Sequence, residues 1–421
     1  MSRSDLGAVL VTTDAYPPES GGSGWSTHAL VAGLQGRGLR VEVLEVDAHG
    51  EGPVSEREFD GVVLRTLPIG KHRTASRHLL ARDYSTAPVR EYVAEYLRQR
   101  PDIGVVHGQH LHSGPGAAQA ARASGRAALV TLRDYWPVRL DGIAWPGENE
   151  DGRSQRQCAR AALVRSFGVP GPVATAGAGR AVQRLAARQE ALAACHRLIC
   201  VSDAVRRRVA PSLRSPIDVI PNMVDPQHSA AAAARGAVPP EVRSPYVFLA
   251  GKLNAAKGFD LVVGELAAAG CKWPVVVAGT GGLAVTMEKE AESAGLTLVP
   301  LGWTDGDTLL RLAREARAVV VPSAWEEPLA RVILEAMSVA TPVIARATGG
   351  SPEAITRGSD GFLYETVDEL SAALAALEDD VVAERMGAAA LTTCAARYAP
   401  AVVLDQVIAS YGLAQEAVAD E

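Results

Sequence analysis

Two lysines and two glutamates in the second half of the chain have the types and spacing for chemistry on a phosphate ester. Lys252 and Lys257 lie in G-K-L-N-A-A-K-G, directly after the apolar run Tyr246–Ala250, and Glu327 and Glu335 lie in V-P-S-A-W-E-E-P-L-A-R-V-I-L-E-A-M. Two ammonium groups at a strand end are point charges suited to a diphosphate. The glutamates need a strand-to-helix unit to position them. Ala318–Val321 reads as a buried strand closed by Pro322-Ser323, and Pro328 sits where a first helical turn tolerates proline. At about 100° per residue from Leu329, Val332, Ile333, Ala336 and Val339 share an apolar face, while Arg331, Glu335 and Ser338 share a polar stripe. Both carboxylates then lie near the open end of the unit, where open α/β sheets bind ligands. A plainer reading stands beside this one: Glu327 as an acid favoured by a helix dipole, and Glu335 as the partner of Arg331 one turn earlier.

Other strand ends carry candidate binding groups. A-G-T-G-G at Ala278–Gly282, including Gly279, and L-G-W-T at Leu301–Thr304, including Trp303, are loops suited to a nucleotide base and its ribose. In the first half, the run Gly7–Thr13 ends in Y-P-P-E-S-G-G-S-G-W before a helical pattern at Thr27–Arg37. Glycines Gly21 and Gly22 there let backbone N–H groups approach an anion at a helix N-terminus. The spacing is not the dinucleotide fingerprint, and a simple turn is the alternative. His107, His110 and His112 follow the strand Ile103–His107, with His110 the candidate to face a cleft; their spacing fits neither a zinc finger nor H-E-x-x-H. Arg133 and Asp134 end the strand Ala128–Leu132.

The elements that must hold these groups form a βα rhythm. In the first half Leu39–Val46, Gly61–Leu67, Leu198–Val201 and Asp218–Ile220 read as further strands; in the second, Val275–Ala278, Leu298–Leu301 and Pro342–Ala345 do. Such alternation implies parallel sheets covered on both faces. The alanine run and paired prolines of 227–240 read as a linker between residues 1–226 and 241–399, giving two Rossmann-like α/β domains facing each other across a cleft. The polar, glycine-rich segment 141–180 reads as an irregular acceptor-side loop or lid.

Composition narrows the function classes. A length of 421 residues suits two or three domains, and a net charge of −6 argues against phosphate-dominated nucleic-acid binding. Five scattered cysteines without a C-x-x-C pair indicate neither a disulfide framework nor a zinc ribbon, so a cytoplasmic setting is expected. The run Leu6–Val11 is too short for a signal segment, and no continuous apolar stretch approaches the ~18 residues of a membrane span. Basic residues between 71 and 100 suggest a weak peripheral membrane contact or an acidic acceptor; Glu91 and Glu95 dilute them, which favours a solvated helix face.

Taken in order, the P-P-x-x-G-G loop, D-I-G-V-V-H at Asp102, V-S-D-A-V at Val201, I-P-N-M-V-D at Ile220, G-K-L-x-x-x-K-G at Gly251, and P-S-x-x-E with E-x-x-x-x-x-x-x-E from Glu327 to Glu335 span nearly the whole chain. This ordered set resembles the retaining glycosyltransferases of family 4, which have the GT-B fold. The resemblance implies a metal-independent transferase that needs no cofactor and moves a sugar from a nucleotide diphosphate donor to a small-molecule, polysaccharide or lipid acceptor. It implies that Glu335 holds the donor ribose, that Glu327 faces the transferred sugar with the backbone amides of Leu329 and Ala330, and that Lys252 and Lys257 neutralise the diphosphate, with Gly22 closing over it. The helix at about 400–421 is expected to pack back on the first domain.

Three positions depart from the family pattern. Lys252 stands where arginine is usual, Leu329-Ala330 where Phe-Gly is common, and Arg133 where a strand-end histidine is usual. An arginine is no base, so Arg133 is expected to orient or neutralise an anionic group. The alternatives are a nucleotide-sugar epimerase, a phosphorylase, for which no pyridoxal-phosphate lysine is recognisable, and a non-catalytic binding or partner subunit.

Overall fold

A computed structural model describes residues 6–18, 20–70, 86–148 and 153–421, and divides the chain into two compact units, Met1–Pro221 with Leu404–Glu421, and Asn222–Val403. The first unit contains β1 (Ala8–Thr13), β2 (Val41–Asp47), β3 (Ser55–Phe59), β4 (Val62–Pro68), β5 (Ile103–Gly108), β6 (Ala127–Leu132), β7 (Arg197–Cys200) and β8 (Ile217–Val219). They form one sheet in the order β3-β4-β2-β1-β5-β6-β7-β8, parallel except for the β3–β4 pair. Every residue of β1 and β6 is buried, because helices that connect parallel strands cover both faces and aliphatic side chains fill the resulting layers. The sequence reading did not resolve β3: its S-E-R-E-F is mostly charged, as suits an exposed antiparallel edge.

The glycine stretch is not a loop ahead of the helix but its first turn. The helix runs Gly22–Gly36 with Gly21 as N-cap, and the Trp25 N–H donates to the Gly21 carbonyl. The segment expected to be irregular, 141–180, is largely helical as well. Helices Gln155–Arg165 and Gly171–Leu192 form a hairpin around a small core of Leu140, Ala159, Leu163, Val169, Ala174 and Ala181. Alanine makes both helices favourable, and a capping box between Ser154 and Gln157 starts the first.

The C-terminal helix, Pro400–Ala419, belongs to the first unit from Leu404 onward. His107 is buried and bridges Thr131 Oγ1 (2.7 Å) on β6 and the Tyr411 hydroxyl (2.8 Å) on that helix, so this strand-end histidine is a structural tie. The helical stretch Asp380–Ala419 has the length and mean hydropathy of a membrane span, although no uninterrupted apolar run marks it. Its apolar side chains Val407, Tyr411 and Ala414 are nonetheless buried within the protein.

The second unit holds β9 (Val247–Ala250), β10 (Val275–Ala278), β11 (Leu298–Gly302), β12 (Ala318–Val321), β13 (Val343–Arg346) and β14 (Phe362–Tyr364), all parallel in the order β11-β10-β9-β12-β13-β14. Leu249, Phe259, Leu266, Val277 and Leu374 sit in the core on one side of it. Residues 227–235, placed in the linker by sequence, instead belong to the helix Pro226–Arg235 of this unit. It lies against the helix Gly306–Glu315, and Arg235 pairs with Asp307 at 2.7 Å. Ser229, Ala232 and Ala233 form its buried seam.

Candidate functional site

The strand order brings the carboxyl ends of β10, β9, β12 and β13 side by side; Lys252, Lys257 and Glu327 lie in the loops that leave them, and Glu335 in the helix Arg331–Ser338 that follows β12. Lys257 ends a short 3-10 turn, Ala255–Lys257, capped by the Asn254 side chain, which accepts from the Lys257 N–H at 3.0 Å. Its ammonium donates to both oxygens of Glu327, at 2.9 and 2.6 Å. Glu327 Oε2 also accepts from Ser323 Oγ (2.9 Å) and from the Trp325 indole N–H (2.8 Å). The Lys257 ammonium stands 5.4 Å from the centre of the Trp325 ring, within reach of a cation–π attraction. Glu327 is buried, whereas the lysine side chain keeps a third of its surface in solvent.

Backbone bonds lock the two loops together. The Ala324 and Trp325 N–H groups donate to the Ala256 carbonyl, Thr348 Oγ1 donates to the Ser323 carbonyl, and the Gly350 N–H donates to the Glu327 carbonyl at 2.7 Å. Gly349 permits the last contact: its φ is +55°, and a Cβ there would stand 2.1 Å from the Glu327 carbonyl oxygen.

The helix expected to open at Pro328 begins three residues later, as Arg331–Ser338 with Ala330 as N-cap. Pro328 therefore belongs to the loop, and Glu327 is held by side chains, not by a first helical turn. Leu329 and Ala330 are buried. The expected polar stripe is also modified: Ser338 is buried and donates to the Glu335 carbonyl at 2.7 Å, and Leu334 and Met337 join the buried face. Glu335 pairs with Arg331 Nε at 2.7 Å, as the plainer sequence reading has it, and keeps part of its side chain exposed. Lys252 is exposed just past β9. Gly279, at φ +154°, ends β10 where a Cβ would stand 1.9 Å from the Gly251 carbonyl oxygen, so the two loops touch through backbone. Trp303, at 77% exposure, stands beyond the edge strand β11.

In the first unit, β1, β5 and β6 are neighbours, and their carboxyl ends gather Asp14, Gln109, His110, Arg133 and Asp134. Asp14 accepts from the His112 and Ser113 N–H groups at 2.8 and 2.7 Å, just ahead of the helix Gly114–Ala123. His110 Nδ1 accepts from the Asp14 N–H at 3.2 Å and lies 3.0 Å from Thr13 Oγ1, which places the neutral ring's proton on Nε2. Burial, aided by the charges of Arg133 and His112, pushes His110 down to about 3; burial and Arg133 do the same to His107. Arg133 donates to Gln109 Oε1 at 2.6 Å. Asp134 is pushed up to about 6 by burial, against the Trp136 N–H that it accepts at 2.8 Å and the charge of Arg188, while Asp141 and Asp14 add to the rise. Gly21 and Gly22 lie at the N-terminus of the helix after β1.

Sequence reasoning named Lys257 and Glu327 but gave no role to Ser323 and Trp325, although S-x-W-x-E was legible as three polar groups on alternate residues of one loop. Gly349 and the cap Asn254 lacked any comparable signal. Among the described residues no three His, Cys, Asp or Glu side chains gather as metal ligands. In the basic run, Lys71, His72, Arg73, Arg77, His78 and Arg82 lie outside the described residues; Arg98 pairs with Glu95, and Arg100 with Glu42 and Asp102, which uses those charges within the protein.

Two family models match the chain: "Glycosyltransferase Family 4" over residues 20–228 and "Glycosyl transferases group 1" over residues 233–392. The chain is similar to D-inositol 3-phosphate glycosyltransferase 1 of Catenulispora acidiphila, 26% identical over 435 aligned residues that cover 98% of this chain and 96% of the relative. It is also similar to 2-deoxystreptamine glucosyltransferase of Streptomyces kanamyceticus, 27% identical over 278 residues, covering 59% and 70% of the two chains. Among solved structures, sucrose-phosphate synthase from Thermosynechococcus elongatus matches with a TM-score of 0.68 at 17% identity, covering 96% of this chain and 99% of that one. Anabaena Alr3699/HepE in complex with UDP-glucose matches with a TM-score of 0.65 at 15% identity and the same coverage. These structures share its two parallel-sheet, Rossmann-like units.

Proposed function

The chain belongs to the glycosyltransferases of family 4, with the GT-B fold and nucleotide-sugar donors, and from that premise we propose that it transfers a hexose to a hydroxyl acceptor with retention at the anomeric carbon, without a metal ion or other cofactor. The observation that carries this reading is the Lys257–Glu327–Ser323–Trp325 cluster at the carboxyl ends of β9 and β12. Glu327 receives an ammonium, a hydroxyl and an indole N–H. A carboxylate so engaged is a poor nucleophile and a good anchor, which favours a front-face displacement over a covalent glycosyl-enzyme. The bond from the anomeric carbon to the diphosphate oxygen breaks, the acceptor oxygen bonds to that carbon on the same face, and the acceptor's proton passes to the leaving diphosphate.

Lys252 and Lys257 stabilise the charge that develops on the diphosphate, the role of fixed cations in such transfers. Glu335 takes the ribose hydroxyls, Trp303 offers an aromatic face to the base, and Gly279 leaves room for the nucleotide against the backbone. Gly21 and Gly22 offer helix-end N–H groups to an anion. On the first unit, His110, Arg133 and Asp134 handle the acceptor, with Arg133 orienting an anionic group. Because the named relatives act on D-inositol 3-phosphate and 2-deoxystreptamine, cyclitols are the first acceptors to try.

The test is turnover of UDP-glucose and other nucleotide sugars with these acceptors, read as nucleoside diphosphate release and as the anomeric coupling of the product by NMR. Retention predicts that an α-linked donor gives an α-linked product and that a chelator changes nothing. A β-linked product would overturn the retaining mechanism, and loss of activity with chelator would overturn metal independence.

A further inference from the structure

The helical hairpin of Gln155–Arg165 and Gly171–Leu192 carries none of the donor-site residues named above, and its charge is unlike that of the rest of the chain. Between 153 and 189 lie seven arginines and no lysine, aspartate or glutamate. In a chain of net charge −6 this leaves −13 on the remainder. Like charges gathered at this density repel one another and need an external or internal counter-charge. Among the described residues, Arg165 pairs with Glu148 and Asp141, and Arg188 is buried against the carbonyls of Trp136, Arg139 and Leu140.

Arg156, Arg160 and Arg180 are exposed and make no ion pair among the described residues. The first two lie one turn apart, and their guanidinium groups rest on the second helix where its residues are small. Arg160 donates to Thr175 Oγ1 at 2.9 Å and lies over Gly171, while Arg156 lies over Gly179. The cations are therefore spread along the hairpin in fixed positions.

The free end of the same hairpin is apolar. Val164, Phe167 and Val173 are 41%, 36% and 49% exposed within ten residues of one turn. The turn is well formed: Gly168 adopts φ +66°, and the Val169 N–H donates to the Leu163 carbonyl at 3.0 Å, closing the first helix and turning Val169 into the small core. Phe167 and Val173 thus point outward as a consequence of the closed turn. An apolar tip backed by arginines on both helices matches the requirements of an interfacial element, which buries a few apolar side chains at headgroup depth while cations meet anionic lipid.

We propose that this hairpin docks the protein on an anionic phospholipid surface, with Val164, Phe167 and Val173 entering the interface and Arg156, Arg160 and Arg180 contacting the headgroups. The proposal concerns this surface alone and stands whatever the donor or acceptor. Charge complementarity selects the occupant, and the two valines beside Phe167 favour lipid over nucleic acid, which is held by aromatic stacking and by phosphate contacts without a need for valines.

The test is co-sedimentation of the full chain with vesicles of phosphatidylcholine alone or mixed with phosphatidylglycerol. Binding is expected only to the mixed vesicles and should weaken with salt. The triple variant R156Q/R160Q/R180Q should lose roughly 100-fold in partitioning, on a scale of about tenfold or less per cation. Variant F167S/V173S should weaken vesicle binding while leaving retention on heparin unchanged. Both variants change solvent-exposed residues, so the proteins should stay folded, with melting temperatures close to the parent's. Equal binding to both vesicle types, no binding to either, or vesicle binding indifferent to both variants would overturn the proposal. Vesicle binding intact in F167S/V173S and displaced by RNA would assign the surface to a soluble polyanion and equally overturn it.

Discussion

Two clusters of charged residues occupy equivalent places in their own sheets, the carboxyl ends of central parallel strands, and hold their charges in opposite ways. In the second unit a carboxylate is neutralised by a side-chain ammonium that remains partly in water, with a hydroxyl and an indole completing its shell. In the first unit the donors are mainly backbone: Asp14 takes two N–H groups, Asp134 takes one, and His110 takes another. A side-chain pair can be rearranged by an incoming diphosphate without unfolding a loop. Charges fixed by backbone amides are part of the fold, and their titration shifts appear as pH-dependent stability.

The largest expected effect breaks the second cluster. Lys257→Ala should lower kcat/KM by on the order of 10³ in steady-state assays. It should also lower stability by about 3 kcal/mol in urea unfolding, because Glu327 stays buried without its counter-charge. A stability loss with turnover intact would make the pair purely structural and erase the contrast.

The next effect belongs to the first cluster and to pH. His107 and His110 are held down to about 3 from an ordinary 6.5, so the stability they allow is complete above pH 6.5 and is lost as pH falls toward 3. Each contributes a slope of about 1.4 kcal/mol per pH unit. Asp134, raised from 3.8 to about 6, acts oppositely: its contribution is complete below pH 3.8 and is lost as pH rises toward 6. Two groups against one leave a net loss of roughly 3 kcal/mol between about pH 6 and pH 4. Urea unfolding across that range should show the loss, and His110→Gln should flatten the slope. Lys257→Ala should leave the slope as it is.

Smaller effects sharpen the comparison. Trp325→Phe keeps the ring beside Lys257 and removes one hydrogen bond to a charged group, which should cost about tenfold in kcat with little change in the melting temperature. Trp325→Leu should cost more by losing the ring as well. Arg331→Ala, which removes an i,i+4 partner of Glu335, should change stability by less than about 0.5 kcal/mol in the same urea assay.

Much of the architecture was legible because parallel strands buried on both faces are built on continuous apolar runs, as A-V-L-V in β1 and A-V-V-V in β12 are. The misread elements share a physical cause. Q-H-S-A-A-A-A-A-R and A-R-A-A-L-V-R carry little amphipathic contrast, so a short alanine helix whose seam is closed by packing looks like a linker or loop. The edge strand β3 is mostly charged, as an exposed edge is, and so shows no apolar run. At the site, residue types at strand ends were readable, but contacts between distant loops were not. That Lys257 meets Glu327 follows from β9 and β12 being neighbours, and that Ser323 and Trp325 point at the same carboxylate follows from a loop geometry fixed partly by Gly349. Pro328 has the residue type of a helix start, but the bond from the Gly350 N–H to the Glu327 carbonyl holds the adjoining backbone in the loop, and the helix begins at Arg331.

The most direct test of the account is nucleoside diphosphate release from the preferred nucleotide sugar by the parent chain and by Lys257→Ala, at a temperature where both are folded. Release by the parent that falls on the order of 10³ in the variant is the predicted result. Equal rates in the two proteins would contradict the assignment of this cluster to the donor diphosphate.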